Sequence, residues 1–125
     1  MTSRPEILVF CCHPEDVAVL RNASRSQGPV FRAVESLLEV AHLTATRWPA
    51  AVFLGVGSRT LAHLDAIPTI RATRGDLSII VIGEDDSLEL ERCARQHAIF
   101  YYLVHPIDRA EVGAVIKDVL RHAGI

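Results

Sequence analysis

Five short apolar runs, separated by segments with helical periodicity, constrain the fold of this chain more than any other feature. The runs cover residues 7–11, 30–34, 49–57, 77–82 and 99–104. The third run is entered through a proline and left through glycines, which is typical of a strand buried on both faces. Regular alternation of strands and helices favours parallel strands joined by right-handed crossovers. We therefore predict an α/β fold, a doubly wound five-stranded parallel sheet with strand order 2-1-3-4-5 and helices on both faces.

Capping signals indicate where the helices begin. Pro14 stands at a plausible first helical position, followed by two acids that complement the helix dipole. Asp86 with Glu89 and Asp108 with Glu111 have the spacing of capping boxes. The remaining two helices are predicted over 36–46 and within the segment 58–76, where the helix is broken or restarted at Pro68 and a turn follows at 74–76.

Composition bounds the class of protein. The 125 residues are predicted to form one domain, 1–125, and the formal charge of -2 with scattered basic residues predicts no nucleic-acid binding. The apolar runs are too short for a membrane span, and the first residues lack a signal-peptide pattern. Three cysteines, two of them adjacent, make a disulfide framework an unfavourable interpretation. We expect a cytoplasmic protein that does not bind membranes.

Four strand segments, 7–12, 49–55, 79–83 and 102–106, together resemble the receiver domain of bacterial two-component response regulators. The most specific match is the His105-Pro106 pair, in which His105 stands 22 positions after Gly83. The resemblance covers essentially the whole chain. It implies a flavodoxin-like, receiver-like three-layer sandwich.

The positions that carry receiver chemistry differ in this chain. Working receivers have an acidic pair after strand one, a phosphate-accepting Asp after strand three, a Thr or Ser after strand four and a Lys before the proline. The resemblance implies a degenerate pocket, or pseudo-receiver, at the corresponding positions Cys11, Cys12, Gly55, Gly83, His105 and Pro106.

This residue set is unsuited to phosphoryl transfer. An aspartyl phosphate needs a carboxylate nucleophile, and Gly55 has no side chain. Magnesium prefers hard oxygen ligands, whereas Cys11 and Cys12 offer soft thiols. We therefore predict no catalytic residue, no cofactor and no bound metal, and a protein that is not an enzyme.

A subgroup resemblance is also present. Segments 52–58 and 80–84 look like the strand ends in the N-terminal domain of flagellar master regulators, a pseudo-receiver attached to an ATPase and a DNA-binding domain. This resemblance implies a detached regulatory domain of a transcriptional activator.

Several titratable residues lie near the predicted strand ends. His13, Glu15 and Asp16 beside Cys12 admit a metal or redox site, but an ordinary helix start is the favoured interpretation. A thiol enzyme that uses Cys12 and His13 is disfavoured because no third orienting group can be named. For His105, a pH-responsive role is weighed against simple substitution in an idle pocket, which is favoured.

Two function classes follow from the resemblance. In receivers the fourth helix, fifth strand and fifth helix form the usual dimerisation and output surface, and here that surface would include Arg92, Arg95, Tyr101 and Arg109. The leading hypothesis is a non-catalytic signalling module that binds a protein partner or forms a homodimer through this surface. The alternative is a small-ligand sensor that uses the vacant pocket, provided that the loops do not collapse into it.

Overall fold

A computed structural model describes residues 4–125, which form one parallel sheet of five strands in the order β2-β1-β3-β4-β5. The predicted strand order and doubly wound architecture are confirmed. The strands are β1 (Glu6–Phe10), β2 (Val30–Val34), β3 (Ala51–Val56), β4 (Ser78–Gly83) and β5 (Tyr101–Val104). The helices are α1 (Pro14–Ala23), α2 (Leu37–Arg47), α3 (Ile67–Thr73), α4 (Leu88–Arg95) and α5 (Arg109–His122).

The sheet separates two hydrophobic cores. Every residue of β3 and β4 is buried, as expected for central strands covered by helices on both sides. Because successive side chains of a strand point to opposite faces, Phe53 packs in the core that includes Leu20 and Ile116. Leu54 packs in the other core with Ile70. Because all five strands are parallel, their carboxyl ends lie along one edge of the sheet, between the two cores.

The chain leaves β1 one residue earlier than predicted. The strand ends at Phe10, and Cys11 adopts a left-handed backbone with φ of 57°. This turn lifts the chain off the sheet, so the prediction that the first strand extends to Cys11 is wrong. The first three residues, where we predicted no signal peptide, lie outside the described residues.

Of the two predicted capping boxes, the one at the start of α5 is confirmed and the one at the start of α4 is wrong. The Asp108 carboxylate accepts a hydrogen bond from the Glu111 backbone N–H at 2.9 Å, as predicted for α5. In α4 the cap is Ser87, whose hydroxyl accepts from the Leu90 N–H at 3.2 Å, and the prediction of Asp86 is wrong. Serine is as good a cap as aspartate, and at this position it satisfies the Leu90 N–H in place of the Glu89 N–H, one residue further along the chain.

The segment predicted as one broken helix contains two helices. A 3-10 helix over Leu61–Ala66 leads directly into α3, and Pro68 stands in the first turn of α3. Proline lacks a backbone donor and is tolerated only at such a start, which explains the restart there. Over residues 4–125, no helix combines the length and the apolar character that crossing a bilayer would require.

Candidate functional site

A cleft of about 420 Å³ opens at the carboxyl ends of the strands. Four of the predicted pocket residues line it: Cys11, Cys12, Gly55 and His105. Gly83 and Pro106 do not line the cleft, whereas His13, Arg59 and Glu84 do. This is the edge at which open α/β sheets bind their ligands.

The loop after β1 covers Gly55. A Cβ atom on Gly55 would overlap the backbone carbonyl oxygen of Cys11 and would lie 3.2 Å from the Cα atom of Cys12. The obstacle is backbone, which cannot turn aside as a flexible side chain can. The end of β3 therefore has neither a functional side chain nor room for one in this arrangement of the loop.

The other strand-end glycine is covered by an aromatic ring. A Cβ atom on Gly83 would overlap the hydroxyl oxygen of Tyr102, a side chain that is buried. Among the described residues that hydroxyl has no hydrogen-bond partner, and burial raises its pKa, with the Glu91 and Asp85 carboxylates raising it further. The space beside each glycine is thus occupied, by the Cys11 carbonyl at Gly55 and by the Tyr102 hydroxyl at Gly83. The cleft is not an enlargement created by the two missing side chains.

His105 makes a short polar contact at the cleft. Its Nδ1 lies 2.7 Å from Asp16 Oδ2, and Asp16 Oδ1 accepts a hydrogen bond from the Ile107 backbone N–H at 3.3 Å. The Asp16 side chain is 1% exposed, so this carboxylate faces the protein interior from the first turn of α1. Buried carboxylates need such partners, because an unpaired buried charge is costly.

Asp16 is the residue whose role sequence analysis missed. It was interpreted as a favourable charge at a helix start, but its side chain joins α1 to the loop after β5. The available signal was its position four residues before the buried Leu20, on the same face of α1.

Two further side chains surround the His105 ring. Its Nε2 lies 3.3 Å from Glu15 Oε1, and the His13 ring stacks on it with centroids 3.9 Å apart and planes 19° apart. His13 and Glu15 are exposed, whereas the His105 side chain is 18% exposed. The fold therefore brings His105 to one imidazole and two carboxylates that lie together at residues 13–16, far from it in sequence.

The two cysteines have different surroundings. Burial raises the pKa of the Cys12 thiol to about 12, and the Asp16 carboxylate contributes to the rise. The Cys12 sulfur donates weakly to the Phe10 carbonyl at 3.5 Å, whereas Cys11 is exposed. A thiol with so high a pKa is a poor nucleophile. These soft groups also do not fit Mg²⁺, which takes oxygen ligands.

The predicted interaction residues lie on the surface formed by α4, β5 and α5. Tyr101 is 38% exposed, and its hydroxyl donates to Glu111 Oε2 at 3.1 Å. Arg95 is ion-paired with Glu91 at 2.8 Å within α4. Arg92 and Arg109 are exposed.

Comparison with known proteins gives one curated relative and many similar folds. No protein-family model matches the chain. The transcriptional regulatory protein PrrA of Mycobacterium leprae is 27% identical over 123 residues, which are 98% of this chain and 52% of the relative. The chain thus spans about half the length of that relative.

Solved receiver structures superpose over nearly the whole chain. The signal receiver domain of an HD domain-containing protein from Pseudomonas fluorescens is 20% identical, with a TM-score of 0.78 and 98% of both chains covered. The CheY-like protein TadZ from Pseudomonas aeruginosa is 19% identical, with a TM-score of 0.77 over 92% of this chain and 98% of that one. The chain has the receiver fold, as the resemblance predicted. The finer resemblance to flagellar master regulators stays a prediction.

Proposed function

We propose that this chain is a non-catalytic pseudo-receiver, a signalling module that acts through protein contacts and does not accept a phosphoryl group at the end of β3. The observation that carries the proposal is the Cys11 carbonyl oxygen packed against Gly55. A receiver that transfers phosphate needs a carboxylate at that position and space around it for the phosphoryl group and a metal ion.

The proposed contact surface is the face of α4, β5 and α5, and the proposed occupant is a second copy of the chain or another protein. Tyr101 with Arg92, Arg95 and Arg109 gives this face the residue types that dominate binding energy at protein interfaces. Leu88, which is 69% exposed at the start of α4, adds apolar area. In such a module the partner, and not phosphorylation, sets the conformational equilibrium.

A role in regulating transcription is a finer form of the same proposal. The similarity to PrrA supports it, because PrrA is named as a transcriptional regulatory protein. In this form the chain would receive a signal by protein contact and pass it to an output domain.

The test of the proposal measures phosphorylation and molar mass on the same sample. The chain is incubated with a small phosphodonor and Mg²⁺ beside a working receiver as positive control, and intact mass is recorded. We expect no phosphoryl adduct on the chain. A stable adduct would overturn the proposal.

Light scattering then tests the surface. We expect a dimer or a partner complex that Tyr101→Ala weakens and that Leu38→Ala leaves unchanged. Leu38 is the matched control, because it is an 82% exposed apolar residue on α2, outside the proposed surface. Equal effects of the two variants would reject the α4, β5 and α5 face.

A small-ligand sensor is the second candidate, and the cleft of about 420 Å³ is the observation that favours it. Arg59 and Glu84 give the cleft one cationic and one anionic group for an amphoteric or anionic metabolite. Thermal unfolding in the presence of a metabolite panel tests this candidate. A ligand that raises the melting temperature of the wild type but not of an Arg59→Ala variant supports it, and no shift with any compound rejects it.

A further inference from the structure

We propose that His13, Glu15 and His105 bind a divalent transition-metal ion of the zinc class at the mouth of the cleft. One coordinating atom from each of the three side chains can be chosen so that all lie within 4.8 Å of one another. Sequence analysis weighed a metal site at His13, Glu15 and Asp16 beside Cys12 but favoured an ordinary helix start, and it did not include His105, which is remote in the chain. This proposal does not rest on the interaction surface around Tyr101.

The spacing of the donors matches the coordination shell of zinc. Donor atoms about 2.0–2.1 Å from a tetrahedral zinc ion lie roughly 3.3 Å from one another. His105 Nε2 and Glu15 Oε1 are 3.3 Å apart. The His13 ring stacks on His105 at an angle of 19°, so the lone pairs of the two rings run nearly parallel. His13 is exposed and can turn out of the stack to share an ion with His105 and the exposed Glu15.

Asp16 prepares His105 for this role. Its carboxylate oxygen, 2.7 Å from His105 Nδ1, accepts a hydrogen bond from the Nδ1–H and so leaves Nε2 as the ring nitrogen that can bind a metal ion. A carboxylate that fixes the second nitrogen of a histidine ligand is the usual outer support of protein zinc sites. Asp16 is thus a positioning residue and not a ligand.

The approach of His105 Nε2 to Glu15 leaves the two donor atoms facing each other. A metal ion between these atoms, which are 3.3 Å apart, would accept a lone pair from each of them.

The charges of the cluster favour a dication. The carboxylates of Glu15 and Asp16 supply two negative charges, which together balance a divalent ion when both imidazoles are neutral. The positive end of α1 opposes a cation, and the same two carboxylates offset that field. Three protein ligands leave at least one coordination position for water or an anion from the cleft.

Titration of the full chain with Zn²⁺ against a chromophoric chelator tests the site. We expect one zinc ion per chain, and at least about tenfold weaker binding in Glu15→Gln and in His13→Gln. Both residues are exposed, so these variants keep the fold. Asp16→Asn is expected to weaken binding by about 10–100-fold. His42→Gln, an exposed histidine on α2, is the matched control and should bind zinc like the wild type.

Cobalt distinguishes this site from a thiol site. We expect Co²⁺ to give ligand-field absorption without a thiolate charge-transfer band, and Cys11→Ser to bind zinc like the wild type. The proposal is overturned by the absence of stoichiometric zinc binding, by zinc affinity that Glu15→Gln and His13→Gln both leave unchanged, or by loss of binding in Cys11→Ser.

Discussion

The carbonyl oxygen of Cys11 lies where a Cβ atom on Gly55 would have to stand. This contact depends on the left-handed backbone of Cys11, which turns the loop after β1 back over the end of β3. Gly55 therefore lacks the functional group of a phosphate acceptor, and its lack of a side chain also allows the loop after β1 to pack against β3.

We predict that Gly55→Ala destabilises the protein by about 1–3 kcal/mol, because the loop backbone must move to admit the methyl group. Chemical denaturation measures the change. Gly57→Ala is the control: there a Cβ atom would overlap only the carboxylate of the exposed Glu84, which can turn away, and would lie 3.2 Å from Glu84 Cβ, so we expect a smaller cost than at Gly55. An equal or larger cost at Gly57 would contradict the proposed overlap at Gly55.

We predict that Tyr102→Phe is neutral or stabilises the fold by up to about 1 kcal/mol, because the buried hydroxyl has no partner among the described residues. The free energy of unfolding is compared with that of Tyr101→Phe, which loses the hydrogen bond to Glu111 on the surface. We expect a change within about 0.5 kcal/mol in this control. Destabilisation by Tyr102→Phe beyond about 1 kcal/mol would show that the hydroxyl is satisfied.

We predict that an alkylating reagent modifies Cys12 at least about a hundredfold more slowly than the exposed Cys11 at pH 8. The pKa of Cys12 is raised to about 12, so its reactive thiolate is scarce and should grow about tenfold per pH unit through pH 9. Mass spectrometry of the peptides gives both rates in the same sample. Comparable rates at the two sites would contradict the burial of the Cys12 thiol.

We predict that Glu6→Gln lowers stability at pH 7 by up to about 1 kcal/mol, since the partner arginines are partly exposed. Burial alone would raise the pKa of Glu6, but hydrogen bonds from Arg32 at 2.9 Å and Arg47 at 3.1 Å outweigh it and lower the pKa.

A lowered folded-state pKa means that the carboxylate of Glu6 stabilises the fold above its unfolded-state pKa, near 4.3 for glutamate, and that the contribution is lost as the pH falls through the lower folded value. The difference in melting temperature between wild type and Glu6→Gln should therefore vanish in acid. The exposed Glu35 provides the control variant Glu35→Gln, for which we expect no such difference. A difference for Glu6→Gln that persists unchanged in acid would reject the role of the charge.

The strand order and the helices could be predicted from the sequence because strands such as Ala51–Val56 are buried on both faces and appear as uninterrupted apolar runs. The start of a new helix at Pro68 could also be predicted, since proline within a helix is favoured only in its first turn. These features follow from local physical chemistry, which a short stretch of sequence carries.

The arrangement of the candidate site could not be predicted in the same way. An acid such as Asp16 in a first helical turn has the same local sequence pattern whether it faces solvent or the interior. Its inward orientation depends on its hydrogen bond to Ile107 in the loop after β5. The left-handed backbone at Cys11 could not be predicted, because glycine or asparagine usually marks such a conformation and neither stands there. The packing of that turn over Gly55 is a tertiary contact with no local pattern.

The contact between Asp16 and His105 also bears on how the chain folds. The two residues are 89 positions apart, and they belong to segments next to β1 and β5, strands that are not neighbours in the sheet. Closing so long a loop is entropically costly until the intervening strands have assembled. We therefore expect this contact to form late in folding, so that its loss speeds unfolding and leaves the rate of folding almost unchanged.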